Sequence, residues 1–132
     1  MSEYFKNIPQ IKYEGSKSDN PLSFKYYNEE QVVLGKTMKE HFRFATCYWH
    51  TFTWPGIDPF GGPTLDRPWM QPGDPLKMAE VKLNAAFDFF SKIKTPYFCF
   101  HDRDIAPEGN NYDETKNNLD HIVNLMEKKM EQ

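Results

Sequence analysis

Residues 74–102, Asp74 to Asp102, read DPLKMAEVKLNAAFDFFSKIKTPYFCFHD, and this stretch decides the fold class. Asp74 suits an N-cap, and Pro75 suits the first helical position, where a missing N–H costs nothing. Leu76, Ala79, Leu83, Ala86, Phe87 and Phe90 recur at three and four residues and predict one buried helix face. Thr95-Pro96 stops the helix. Tyr97-Phe98-Cys99-Phe100 is a short continuous apolar run of the buried-strand type. Polarity returns at His101-Asp102-Arg103-Asp104.

Working outward, Arg43-Phe44-Ala45-Thr46-Cys47-Tyr48-Trp49 has the mostly apolar and aromatic character of a strand covered on both faces. Thr37-Met38-Lys39-Glu40, just before it, is a capping-box pattern and predicts a short helical turn. Downstream, Pro107, Gly109, Asn110 and Asn111 mark a loop. Asp113 is then expected to cap a last helix with Leu119, Ile122, Val123, Met126 and Met130 on one face. The order is strand, long loop, helix, strand, loop, helix. Such alternation means βαβ units and a parallel sheet, an α/β fold.

The long loop, residues 54–75, holds Pro55, Pro59, Pro63, Pro68, Pro72 and Pro75 with Gly56, Gly61, Gly62 and Gly73. No helix or central strand survives that density of proline. Ordered loops of this length usually serve function, and Trp54, Phe60 and Trp69 in a stiffened loop need a cavity or a neighbouring subunit. A flexible linker is the other reading. Residues 1–35 carry little periodicity. With Glu14-Gly15-Ser16-Lys17-Ser18-Asp19-Asn20-Pro21 dense in turn formers, they read as a leading loop that wraps over a surface.

A chain of 132 residues fits one domain or one piece of a larger one. It is too short for a complete (β/α)8 barrel of roughly 250 residues. A parallel sheet of two strands leaves open edges, so the chain reads as the beginning of an α/β protein. The formal charge is −3, from 16 Lys+Arg against 19 Asp+Glu, and the only basic cluster is Lys128-Lys129 near a helix end. Nothing argues for a nucleic-acid partner. No apolar run approaches the roughly 20 residues of a membrane span, and residues 1–10 lack a signal-peptide core. A cytoplasmic protein without membrane partners is expected. The two cysteines, Cys47 and Cys99, sit in apolar runs and are expected as buried thiols without a disulfide.

In parallel α/β folds, active sites gather at the carboxyl ends of strands. His101 with Asp104 falls there. An acid three residues on can accept from one imidazole nitrogen and leave the other to handle a substrate proton. A loop histidine bonded to a carboxylate for packing is the plainer alternative. His101, Asp102 and Asp104 also supply metal-ligating atoms, though adjacent loop carboxylates are usually just solvated. Trp49 ends the first strand, with Trp54 and Phe60 following; aromatic walls suit the apolar faces of sugars, and core filling is the alternative. His41 sits in a charged helical turn and His121 beside the apolar stripe of the last helix; His50 borders the first strand, near a site or in a packing role.

Several motifs together resemble a known family. Tyr13-Glu14-Gly15-Ser16-Lys17-Ser18, Asn20-Pro21-Leu22 and Phe42-Arg43-Phe44-Ala45-Thr46-Cys47-Tyr48-Trp49-His50-Thr51-Phe52 resemble the amino-terminal part of xylose isomerase, in its longer, class II branch. So do Asp58-Pro59-Phe60-Gly61, Asp66-Arg67-Pro68-Trp69 and Phe98-Cys99-Phe100-His101-Asp102. The resemblance implies a TIM (β/α)8 barrel. Residues 1–132 would supply the N-terminal part of its single catalytic domain: a leading segment at 1–35, and the first two β/α units at 36–132. It implies an aldose–ketose isomerase, D-xylose to D-xylulose with D-glucose to D-fructose beside it, usually a homotetramer. Two divalent ions (magnesium, manganese or cobalt) polarise the open-chain sugar during a hydride shift. His101 matches the histidine that assists ring opening, and Asp104 its carboxylate partner. Trp49 matches an aromatic wall beside the sugar, and Phe60 the phenylalanine that reaches a neighbouring subunit's site. The metal ligands lie on later strands, so none is expected here, and the segment alone is expected to be inactive. The competing reading is a non-catalytic barrel fragment that binds a complementary piece.

Overall fold

The computed structural model describes residues 4–57, 59–71 and 73–131. Asp58 of the quoted motif and Pro72 of the long loop lie outside them. The elements in chain order are β1 (Val32–Val33), β2 (Lys36–Thr37), α1 (Met38–His41), β3 (Ala45–Cys47), a π-helical turn (Trp49–Thr53), α2 (Pro75–Ile93), β4 (Tyr97–Cys99), α3 (Asp102–Ile105) and α4 (Tyr112–Met130).

The βαβ unit is present. β3 and β4 pair in parallel, with Ala45 opposite Tyr97, Thr46 opposite Phe98 and Cys47 opposite Cys99, and α2 makes the crossover between them. Asp74 caps α2 by accepting from the Leu76 N–H at 3.0 Å, with Pro75 behind it. The helix ends at Lys94, which takes the left-handed conformation at φ 54° just before Thr95-Pro96. Ala79, Leu83, Ala86 and Phe90 are buried along its inner face. Full burial of a side chain such as Leu83 is worth about 1.5–3 kcal/mol.

Phe98 of β4 stacks on Phe90 at 5.1 Å and meets Phe87 edge-on at 5.5 Å, which fastens the sheet to α2. Ile122 and Met126 of α4 complete this layer, while Met130, in the last turn, is exposed rather than on the buried face the sequence predicts. Phe52 and Trp69 fill the same core from the π-turn and the long loop. The leading segment does wrap over a surface. Ile11 N–H donates to the Lys92 carbonyl at 2.7 Å, and Phe5 packs on Trp69 and Phe89.

Five further expectations are corrected. The first strand spans Ala45–Cys47 rather than seven residues, because the chain coils into the π-turn directly after it. Neither strand is covered on both faces: Thr46 is buried against the helices, whereas Ala45, Tyr97 and Cys99 are exposed, since the described residues supply one helical layer. Cys99 is therefore exposed and Cys47 half-buried, both as free thiols. The last helix is capped by Asn111 instead of Asp113, through the Asn111 Oδ1 bond to Glu114 N–H at 2.9 Å. Finally, residues 32–37 form a hairpin where the sequence reads as loop. Its two-residue turn, Leu34-Gly35, has φ of 51° and 81°, the positive values that tight hairpins require. The Thr37–Glu40 capping box does form, with Glu40 Oε2 accepting from the Thr37 N–H at 2.6 Å.

Candidate active site

Because β3 and β4 are parallel, the residues that follow them emerge at the same end of the sheet. Trp49 follows β3 and His101 follows β4. Asp104 Oδ2 accepts from the His101 backbone N–H at 2.7 Å and bonds His101 Nδ1 at 2.9 Å. The pair thus forms a capping box, His101 as N-cap and Asp104 in the first turn of α3. A carboxylate oxygen only accepts, so the proton facing it sits on Nδ1, and in the neutral ring Nε2 keeps its lone pair. Asp104 is 4% exposed, whereas the His101 side chain is 77% exposed. A buried carboxylate holds an imidazole at the surface, ready for a proton at Nε2.

The second strand end carries aromatics. Trp49 and Trp54 stack with centroids 5.7 Å apart, and His50 meets Trp49 edge-on at 4.4 Å. The π-turn makes this possible: Trp54 N–H reaches back five residues to the Trp49 carbonyl at 2.7 Å. A π-turn leaves its carbonyls in need of donors. The long loop folds back to supply them. Arg67 donates Nη2 to the His50 carbonyl at 3.1 Å and Nε to the Trp54 carbonyl at 3.3 Å, and Trp69 Nε1 donates to the Phe52 carbonyl at 2.8 Å. Of the loop aromatics, Trp69 is buried, Trp54 half-buried and Phe60 98% exposed.

The loop closes on its own neck. The Pro55 carbonyl accepts from Thr64 and Leu65 N–H at 3.1 and 3.0 Å, and the Thr64 hydroxyl donates to the Gly56 carbonyl at 2.8 Å. Gly56 sits at φ 73°, and a Cβ there would lie 2.6 Å from Thr64 Oγ1 and 2.7 Å from Leu65 Cγ. Gly56→Ala is expected to open this neck and cost about 1–3 kcal/mol, read as a lowered denaturation midpoint. An unchanged midpoint would show that the neck bears no strain.

A buried polar group behind Asp104 was missed in the sequence. Lys82 of α2 is 5% exposed and donates to the Thr53 hydroxyl at 3.3 Å; Thr53 in turn donates to the Asp104 carbonyl at 3.3 Å. Burial pushes the Lys82 ammonium down to about 8, against an opposing pull from Asp104. Tyr48 is fully buried, and its hydroxyl has no hydrogen-bond partner among the described residues. Burial first, and the Asp104 charge second, push its ionisation far up. The available signal was a lysine standing inside the apolar stripe of α2, between Ala79 and Ala86. The remaining histidines are structural: His41 bonds the Val33 carbonyl at 2.8 Å, and His121 bonds Glu80 of α2 at 2.8 Å.

Fold and site define a βα segment of a parallel α/β protein, with an imidazole–carboxylate pair and a Trp49–Trp54 stack at the carboxyl end of its strands. No family model matches the chain. Among curated proteins it is similar, along its whole length, to xylose isomerases. That of Photobacterium profundum is 54% identical over 132 residues, all of this chain and 30% of the relative. That of Thermoanaerobacter sp. is 57% identical over 124 residues, 94% of this chain and 28% of the relative, and that of Roseobacter denitrificans 49% identical over 131 residues, 99% and 30%. The chain thus spans about 30% of the length of the curated relatives it matches.

Proposed function

We propose that the chain is the amino-terminal part of an aldose–ketose isomerase that converts D-xylose to D-xylulose, and D-glucose to D-fructose beside it. In this reading residues 1–132 belong to a single TIM-barrel domain, with a leading segment at 1–35 and the first two β/α units at 36–132. The observation that carries it is the His101–Asp104 pair at the carboxyl end of β4, in a chain similar to xylose isomerases throughout.

His101 and Asp104 are assigned to ring opening. Nε2 of His101 takes the proton of the anomeric hydroxyl, the bond from C1 to the ring oxygen breaks, and the same proton is returned to that oxygen. The product is the open-chain aldehyde, with atoms and charge balanced. Asp104 holds the tautomer and faces the positive charge that forms on the ring. Trp49 lines the apolar face of the sugar. Phe60, exposed at the loop tip, reaches a neighbouring subunit's site in a homotetramer.

The family implies two divalent ions, magnesium, manganese or cobalt, which would polarise the open-chain sugar for the hydride shift. Among the described residues no group of three or more His, Cys, Asp or Glu could hold a metal. The described residues do not fit the ions, so no step of this chain runs through them; this reading assigns their ligands to later strands. No helix of the described residues is long and apolar enough to cross a membrane. The protein is proposed to work in the cytoplasm.

The test is an assay of D-xylulose formation with magnesium or manganese. The complete protein is expected to turn over xylose. The 132-residue chain, purified free of host isomerase, is expected to give none. Xylulose from the chain alone would overturn the assignment of the metal ligands to later strands. A complete protein without turnover would overturn the function itself, and binding to a complementary barrel piece would then be the reading to pursue.

A further inference from the structure

Lys82 is a buried charge that ring opening leaves unused. Lysines are almost never fully buried unless paired, and a buried ion is often matched or bettered in stability by an apolar side chain of its size. Packing alone therefore does not account for an ammonium at this place in α2. Its contacts all lead toward the candidate active site. The ammonium donates to Thr53 in the π-turn, and Thr53 passes the contact on to the Asp104 carbonyl in α3. The same nitrogen lies 5.8 Å from the centroid of the Tyr48 ring, whose negative face suits a cation. The titratable groups that face it come from outside α2: Tyr48 ahead of the π-turn and Asp104 of α3.

We propose that Lys82 is a positioning residue for the His101–Asp104 pair: its ammonium, held by Thr53 against the Asp104 main chain, seats α3 on α2 and supplies the positive charge behind the Asp104 carboxylate. The kinetic part of this inference rests on the ring-opening reading; the titration described below does not.

Lys82→Met in the complete protein keeps the stem and removes the charge. It is expected to lower kcat about tenfold, the scale of a slightly misplaced reacting group, with KM for xylose near its original value. Lys82→Arg keeps the charge and is expected to restore part of the rate. The unaltered protein is expected to lose rate as pH rises through about 8, where the ammonium gives up its proton, and Lys82→Arg should keep its rate there. Stability should move the other way. The folded-state value lies below the ordinary 10.5, so the cost of the buried charge is fully present below pH 8 and is gone once both folded and unfolded forms are neutral. Lys82→Met is therefore expected to raise the unfolding temperature at pH 7, with the gain fading toward pH 10.5.

The titration uses the ¹⁵N shift of the Lys82 side chain and needs no turnover. Its midpoint is expected near 8, and lower in Asp104→Asn, which removes the carboxylate that favours the ammonium. A midpoint near 10.5, or one indifferent to Asp104→Asn, would overturn the proposal. So would Lys82→Met with a lowered unfolding temperature and an unchanged pH profile, the pattern of a packing role. Should the complete protein lack turnover, the ring-opening reading falls while the titration still decides on Lys82.

Discussion

Replacing His101 by glutamine in the complete protein is expected to cut turnover by roughly 10²–10⁴, the range for loss of a positioned acid–base group. Glutamine can still hydrogen-bond from this place, but it cannot cycle a proton near neutral pH. Asp104→Asn is expected to cost less. The asparagine oxygen can still accept from the His101 N–H at the first turn of α3, so the ring keeps its seat. What is lost is the negative charge that favours the Nδ1–H tautomer and the imidazolium. Neither residue is placed against a metal, so a metal titration should be nearly the same in both variants. The comparison is turnover beside metal binding for the two variants. Loss of metal binding in His101→Gln, or a larger turnover loss in Asp104→Asn, would show the roles to be assigned wrongly.

Phe52→Ala is expected to have the largest effect on stability, about 3–5 kcal/mol. Phe52 is fully buried, and its ring lies 5.1–5.8 Å from those of Tyr48, Trp69, Phe89 and Phe90. These neighbours come from the strand end, the long loop and α2, so none can move in alone to fill the cavity. The Phe52 carbonyl is also the acceptor for the buried indole of Trp69. Denaturant unfolding of the variant and the parent, compared by midpoint at equal slope, measures the loss. A difference below about 1 kcal/mol, the usual size of a surface change, would mean that the site collapses freely.

The parts of the fold that could be read in advance are those with local causes. Asp74 and Pro75 open α2, and Thr95-Pro96 closes it, because capping and proline geometry act within a few residues. The His101–Asp104 contact was legible for the same reason. Three residues separate a cap from the first-turn side chain that reaches back, as they do at Thr37 and Glu40. The misses have non-local or competing causes. The π-turn depends on donors from Arg67 and Trp69, far along the chain, and a π-turn has no periodic signature of its own. The hairpin at 32–37 has strands too short to show alternation. Asn111 and Asp113 are both good caps, and Glu114 decides between them by also accepting from the Asn110 N–H at 2.7 Å. Lys82 was passed over because an apolar stripe is read for what it contains, and the exception inside it was the informative residue.

The long loop is tied down at two places, its neck and its return toward α2. Its neck is closed on the Pro55 carbonyl by Thr64 and Leu65, and its return limb is stitched to the π-turn by Arg67 and Trp69. Phe60 projects from the part enclosed by the neck. Insertions or deletions around Phe60 can therefore alter what the loop tip touches while the Trp49–Trp54 stack keeps its place. In the proposed reading, the subunit contact of Phe60 and the sugar wall of Trp49 become separately adjustable, and a designer wishing to change assembly without touching substrate grip would work around Phe60.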